Sequence, residues 1–124
     1  MYKTNGRGTI LCVDDEESQL VLRKSMLERA GYRVLTADSP AKAIELFRVE
    51  AIDLVIIDYF MPGMNGLALA QQLLQKKKMP VVMLSAYTEL PGESIGVANI
   101  WITKGNASAK LLTAVAELLH ETHS

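Results

Sequence analysis

The chain has 124 residues, of which 49% are hydrophobic, and its 13 basic and 14 acidic residues leave a formal net charge of -1. This length suits one domain with one substantial core. The near-neutral charge excludes the general electrostatic attraction with which strongly basic chains bind nucleic acid or anionic membranes. We therefore expect a globular domain with neither kind of partner.

The chain has one cysteine and no segment typical of export or membrane insertion. Cys12 lies in an apolar run and has no second cysteine to pair with, so we expect a buried, inert thiol in a reducing compartment. Residues 1–8 are polar and lack the apolar core of a signal peptide. No apolar stretch approaches the length of a membrane span. We expect a soluble, cytoplasmic protein.

Five short apolar runs alternate with helical patterns. The runs predict strands at residues 9–13, 32–36, 54–57, 81–84 and 100–103. The first helical pattern ends at Gly31, a typical stop, and its apolar spacing pairs Leu20 with Leu27 and Leu22 with Met26. Both spacings predict a helix that runs to about Ala30.

The other helices have their own signals. Ser39 before Pro40 predicts a capped start of the second helix. The last helix spans about 107–119 and carries a continuous apolar face. Within 86–98, Pro91 and Gly92 break any long helix, so the fourth helix is predicted to be short or irregular.

The alternation of strands and helices predicts parallel pairing through right-handed crossovers. We therefore expect an α/β fold: a flavodoxin-like, doubly wound, five-stranded parallel sheet in the order 2-1-3-4-5, with helices on both faces. The predicted domain covers 9–119, between a polar N-terminal extension at 1–8 and a C-terminal tail at 120–124.

Chemically reactive side chains stand at the carboxyl ends of four predicted strands. These are Asp14 and Asp15, Asp58, Ser85 and Lys104. Three carboxylates held close together repel one another unless a cation lies among them, and oxygen-only ligands suit Mg²⁺. A hydroxyl and an ammonium opposite that cation would complete a clamp around a phosphoryl group.

Each of these residues also has a structural interpretation. Asp14 and Asp15 could cap the first helix, and Asp58 could form an Asx turn. Ser85 could be a turn hydroxyl and Lys104 an exposed lysine at a strand end. Their joint occurrence at four strand ends favours a functional site.

The sequence resembles the receiver domain of two-component response regulators over about 9–119. The resemblance is carried by Val13-Asp14-Asp15-Glu16, by Asp58 with Met61-Pro62-Gly63-Met64-Asn65-Gly66, by Ser85-Ala86 and by Lys104. It implies that Asp58 is the phosphoacceptor. It also implies that Asp15, Asp58 and the backbone carbonyl of Phe60 hold Mg²⁺, with Asp14 acting through a metal-bound water.

The remaining roles also follow from the resemblance. Ser85 would hydrogen-bond one phosphoryl oxygen and Lys104 would pair with another. Ser85 and Trp101 would form the conformational switch, although Trp101 could instead pack half-buried against the last helix. Phe60 and Tyr87 are bulky beside the site, so we expect them to shield the acyl phosphate and slow its hydrolysis.

The implied function is that of a stand-alone response regulator in a phosphorelay. A sensor histidine kinase or a histidine phosphotransfer protein would donate the phosphoryl group in a Mg²⁺-dependent reaction. The protein would signal by conformational change to a downstream partner, through the face made by the fourth helix, fifth strand and fifth helix, with a homodimer as a further option. It would not be an enzyme beyond self-catalysed transfer and slow autodephosphorylation.

One departure from the family lies after Lys104, where members usually have a proline and this chain has Gly105. A cis bond without proline costs roughly 2.5–4 kcal/mol, so we predict a trans 104–105 bond and a different loop. This departure, with the short fourth helix, supports an alternative: a degenerate receiver that acts as a phosphorylation-independent scaffold.

A second alternative is a flavodoxin-like cofactor binder or a phosphohydrolase on the same fold. A nucleotide site would need a glycine-rich loop after the first strand, where this chain has acidic residues 14–17. A phosphohydrolase of the haloacid dehalogenase type would need a second acid two residues after its nucleophile. That position is Phe60.

Overall fold

Strands and helices alternate along the chain in the computed structural model, which describes residues 7–61, 63, 65–85, 98–104 and 107–123. The strands are β1 (Thr9–Val13), β2 (Arg33–Ala37), β3 (Leu54–Asp58), β4 (Val81–Ser85) and β5 (Ile100–Thr103). The helices of the described ranges are α1 (Glu17–Arg29), α2 (Pro40–Val49), α3 (Gly66–Lys76) and the C-terminal helix (Ala107–His123).

The five strands form one parallel sheet in the order β2-β1-β3-β4-β5. This confirms the predicted flavodoxin-like order. β1, β3 and β4 are buried along their whole length, as expected for strands covered on both faces. The order reverses beside β1, so the carboxyl ends of β1 and β3 border the crevice where ligands bind in such sheets.

Two hydrophobic cores lie on opposite faces of the sheet. One contains side chains of α1 and the C-terminal helix, chiefly Leu20, Leu27, Leu111, Val115 and Leu119. The other contains side chains of α2 and α3, chiefly Ala43, Phe47, Leu69, Ala70 and Leu73. Alternate residues of each strand enter each core, which fixes the register of the strand ends.

The buried face of α1 includes a charged side chain. Leu20, Arg23 and Leu27 are its buried residues, whereas Leu22 is 65% exposed. The stripe at spacing i, i+3 and i+7 faces the core, and its middle position is a charged residue where the sequence pattern had counted only apolar ones. Arg23 has a partner at the end of β1.

Two helices start with a side-chain cap. The Ser39 hydroxyl accepts a hydrogen bond from the Lys42 N–H at 3.2 Å, as predicted, and the Asn65 side chain accepts one from the Ala68 N–H at 2.8 Å. The Asp pair does not cap α1, since the residue at the cap is Glu16 and its side chain makes no capping bond. The pair is therefore available for another role.

Several boundaries differ from the sequence predictions. β2 begins and ends one residue later than expected, and the last helix continues to His123, into the predicted tail. The predictions for the fourth helix, for Tyr87 and for the 104–105 peptide bond lie outside the described residues. Among the helices that the structure describes, none is long and apolar enough to cross a membrane.

Candidate functional site

Asp58 ends the central strand β3 and is only 4% exposed. After Asp58 the chain leaves the sheet and returns close to the end of β3 at Gly66, whose N–H donates a hydrogen bond to the Tyr59 carbonyl. A Cβ atom on Gly66 would lie 2.5 Å from the Asp58 carbonyl oxygen and 2.8 Å from the Tyr59 Cα. Only glycine permits this close return, which presents the Asp58 side chain at the sheet edge.

Asp14 and Asp15 follow β1 at the neighbouring strand end. The Asp14 N–H donates to the Ala37 carbonyl at 3.1 Å, so Asp14 continues the line of the sheet and is fully buried. Its Oδ1 accepts a hydrogen bond from the Glu16 N–H at 2.9 Å. Carboxylate oxygens of Asp14, Asp15 and Asp58 lie within 4.8 Å of one another.

Lys104 comes directly after β5 and reaches back to this cluster. Its Nζ lies 3.2 Å from Asp58 Oδ2 and 3.6 Å from Asp14 Oδ2. The lysine side chain is 26% exposed, so its ammonium lies between the buried carboxylates and the solvent. The predicted convergence of Lys104 on Asp58 is present in the structure.

Arg23 is a second cation at the cluster, and the sequence interpretation missed it. Its Nη1 donates a hydrogen bond to Asp14 Oδ2 at 2.7 Å, and both side chains are buried. The signal was present in the spacing of Leu20, Arg23 and Leu27, which places the arginine on the inner face of α1. A charged residue at such a position needs a buried partner.

The cluster opens into a cavity of about 250 Å³. Its lining contains the predicted site residues Asp15, Asp58, Ser85 and Lys104, together with Glu16, Tyr59 and Phe60. Ser85 is buried at the end of β4, as the strand pattern predicted. Phe60 is 75% exposed and stands at the rim of the cavity.

The pKa of the Asp58 carboxyl is raised above its ordinary value. Burial is the main cause and the charge of Asp14 is the second, while Lys104 and a backbone hydrogen bond from Phe60 act in the opposite direction. Burial and the charge of Asp14 together therefore outweigh the opposing effect of Lys104 at Asp58. By contrast, burial raises the pKa of the Cys12 thiol to about 12, which agrees with an inert core residue.

A family comparison identifies this arrangement. The model of the response regulator receiver domain matches residues 10–116. The chain belongs to the response regulator receiver domain family. This confirms the resemblance carried by the strand-end residues.

Relatives of this receiver domain come from bacteria and plants. The alkaline phosphatase synthesis transcriptional regulatory protein PhoP of Bacillus subtilis (strain 168) is 34% identical over 117 residues, which are 91% of this chain and 49% of that protein. A putative two-component response regulator of Arabidopsis thaliana, ARR21, is 39% identical over 89 residues, 69% of this chain and 14% of that protein. The chain thus spans about half or less of the length of these relatives.

Solved structures share the receiver fold. The response regulator protein TrrA from Thermotoga maritima, in complex with Mg²⁺-BeF, has a TM-score of 0.83 and 34% identity, covering 90% of this chain and 98% of that one. A response regulator receiver domain protein from Clostridium thermocellum has a TM-score of 0.85 and 26% identity, and the match covers 94% of this chain and 97% of that one.

The donor set of this receiver domain fits a hard divalent cation. Asp14, Asp15 and Asp58 offer only oxygen atoms, close enough for one ion to contact more than one carboxylate. A cation bound at this site would favour the ionised form of Asp58, whose pKa burial and Asp14 raise. The carboxylate roles and the Phe60 carbonyl remain predictions.

Trp101 occupies the predicted switch position on β5, and its side chain packs with the core on the α2–α3 face. Its ring lies 5.4 Å from the Tyr59 ring, measured between centroids, at an interplanar angle of 59°. The buried side chains of the C-terminal helix lie on the other face of the sheet, but Trp101 also borders a surface cavity that residues of that helix line. The alternative of a tryptophan half-buried against the last helix stays a prediction. Trp101 contacts Tyr59, the residue that directly follows Asp58. Its switch role remains a prediction.

Proposed function

We propose that this receiver domain accepts a phosphoryl group on Asp58 from a phosphohistidine donor and so acts as the response regulator of a phosphorelay. The observation that carries the proposal is one buried carboxylate with an ammonium 3.2 Å away and two further carboxylates beside it. A nucleophile, a cation for the transferred group and a hard-metal site are thereby combined at one end of the sheet.

Each residue of the site would have its own role in the phosphoryl transfer. An Asp58 oxygen attacks phosphorus in line with the P–N bond of the donor, and an O–P bond forms as the P–N bond breaks. The electron pair of the broken bond leaves on the donor imidazole, which is protonated to neutral histidine. Lys104, 3.2 Å from Asp58, would pair with a phosphoryl oxygen, and Ser85 in the cavity wall would hydrogen-bond another.

Asp15, Asp58 and the Phe60 carbonyl would hold Mg²⁺, with Asp14 acting through a water molecule. Bound Mg²⁺ would supply the positive charge that offsets the charge of the phosphoryl oxygens. Beyond this step the protein does no catalysis on other substrates. Slow hydrolysis of the acyl phosphate would return it to the resting state.

The partners follow from the same chemistry. The donor would be a sensor histidine kinase or a histidine phosphotransfer protein, and the receiver would then lie in the cytoplasm with the ATP that charges such donors. A downstream protein would read the phosphorylated state on the face around β5 and the C-terminal helix, next to the contact between Trp101 and Tyr59. Dimerisation on that face is a further option, and direct nucleic-acid binding is not part of the proposal.

The test is phosphorylation with acetyl phosphate and MgCl₂, followed by intact mass. We expect a gain of about 80 Da from one phosphoryl group, lost on treatment with hydroxylamine. The Asp58→Asn variant should give no adduct, whereas Asp53→Asn, which alters a carboxylate at the opposite end of β3, should behave as the parent. A parent that gains no mass would favour the phosphorylation-independent scaffold.

A further inference from the structure

Arg23 is a buried cation whose hydrogen bond lies inside the acidic cluster. It occupies the middle of the apolar stripe of α1, is 6% exposed, and its Nη1 lies 2.7 Å from Asp14 Oδ2. An aliphatic side chain would satisfy the packing of that stripe at lower desolvation cost. The position therefore has an electrostatic role in addition to a packing role.

Both oxygens of Asp14 already have partners. Oδ2 lies between Arg23 and Lys104, at 2.7 Å and 3.6 Å, and Oδ1 accepts the Glu16 N–H at 2.9 Å. Asp15 and Asp58, by contrast, line the open cavity. The three carboxylates and the two cations leave the cluster with a net charge of -1.

We propose that Arg23 is a positioning residue that acts as a fixed counter-cation of Asp14 and thereby weakens divalent-cation binding to the receiver site. Because Arg23 neutralises Asp14, the carboxylates of the cluster repel one another less when no metal is bound. Cation binding then depends on Asp15 and Asp58. The inference rests on the proposed function only in identifying the cation site as that of Asp58. Its physical basis is that a positive charge within a few ångströms of a ligand carboxylate repels an entering cation.

The test measures cation affinity without any phosphodonor. Binding of Mn²⁺ is followed by the electron paramagnetic resonance signal of the free ion, and Mg²⁺ by competition. Arg23→Met keeps an unbranched apolar side chain on the inner face of α1 and removes the charge, so we expect roughly tenfold tighter binding of both ions. Arg23→Lys keeps the charge and should stay within about threefold of the parent.

A double-mutant cycle of Arg23 and Asp14 distinguishes an electrostatic role of Arg23 from a merely structural one. Asp14→Asn removes one carboxylate and should bind Mn²⁺ roughly tenfold more weakly than the parent. The double variant Arg23→Met/Asp14→Asn restores the parent's net charge and leaves no buried charge unpaired, so its affinity should return to within about threefold of the parent. If Arg23→Met does not fold, the comparison of Asp14→Asn with the double variant still decides the question.

The matched control is Lys24→Met, which removes the next cation on α1. Lys24 pairs with Glu28 on the solvent side and is 46% exposed, so the affinity should not change. The proposal is overturned if Arg23→Met binds Mn²⁺ equally or more weakly than the parent, or if the double variant binds no more tightly than Asp14→Asn. A parent that binds the cation but gains no mass with acetyl phosphate would refute the proposed function and leave this result standing.

Discussion

The ammonium of Lys104 lies 3.2 Å from the carboxylate of Asp58, although the two residues come from different strands. β4 separates β3 from β5 in the sheet, so the lysine side chain spans the end of that strand to reach Asp58. It lowers the pKa that burial and Asp14 raise, and so favours the ionised, nucleophilic form of Asp58.

Replacing Lys104 with methionine should slow phosphorylation without weakening cation binding. In the proposed function the ammonium would meet charge on the transferred group, and loss of one such contact costs roughly 100-fold in rate. Removing a positive charge next to the carboxylates should leave Mn²⁺ affinity unchanged or higher. The rate is measured with acetyl phosphate by intact mass. Lys110→Met, at an exposed position of the C-terminal helix, is the control, and equal losses of rate and cation affinity would contradict this assignment.

The raised pKa of Asp58 has a consequence for stability. A carboxyl whose folded pKa lies above its ordinary value of 3.8 stabilises the fold when protonated, and this contribution is lost as the pH rises through the folded pKa. At neutral pH the ionised Asp58 therefore destabilises the metal-free protein. Asp58→Asn should therefore raise the free energy of unfolding, and with it Tm, at neutral pH.

The increase in unfolding free energy that Asp58→Asn brings should depend on pH in one direction. It should be complete at neutral pH, shrink as the pH falls through the raised pKa, and vanish below 3.8, where the carboxyl is protonated in both states. Thermal unfolding in a chelator at several pH values measures it. Asp38→Asn, at an exposed position after β2, should show no such trend. An Asp58→Asn variant less stable than the parent at pH 7 would contradict the sign.

The strand-end residues could be predicted from the sequence because parallel strands have all their carboxyl ends at one edge. Asp14, Asp58, Ser85 and Lys104 each follow an apolar run directly, so one geometric rule brings them together. The rule gives no distances. These depend on side-chain packing, such as the reach of Lys104 across β4.

Arg23 and Leu22 were harder to place. Helical spacing allows either the stripe of Leu20, Arg23 and Leu27 or one that contains Leu22, and hydrophobicity alone favours the leucine. The structure buries the arginine because Asp14 lies at the end of β1 within hydrogen-bond distance. The choice depends on a contact between two elements, which periodicity within one helix does not contain.

Gly66→Ala should damage both the fold and the site. The added Cβ would meet backbone atoms of Asp58 and Tyr59 at 2.5 Å and 2.8 Å, so the end of β3 must shift. We expect a loss of roughly 2–4 kcal/mol in unfolding free energy and slower phosphorylation of Asp58. Chemical denaturation gives the first quantity and intact mass the second.

Gly63→Ala is the matched control in the same loop. A Cβ there meets no described atom within 4 Å, although the residue has a φ of +85°. Its cost should be limited to the backbone term of about 1–2 kcal/mol, with the phosphorylation rate preserved. If the two alanine variants lose equal stability and both react normally, the close approach of residue 66 to the backbone of Asp58 is not the reason for a glycine at that position.

Phe60→Asn should accelerate hydrolysis of the acyl phosphate. The Phe60 ring stands at the rim of the cavity that contains Asp58, and its 75% exposure leaves it free to lie over a phosphoryl group there. A polar side chain in that place would admit and orient water, so we expect loss of the phosphoryl group to be on the order of tenfold faster. The half-life of the phosphorylated protein is followed by intact mass after removal of acetyl phosphate. Val49→Asn, which replaces another exposed apolar residue far from the cavity, should keep the parent's half-life, and a Phe60→Asn variant that is no faster than the parent would refute the shielding role.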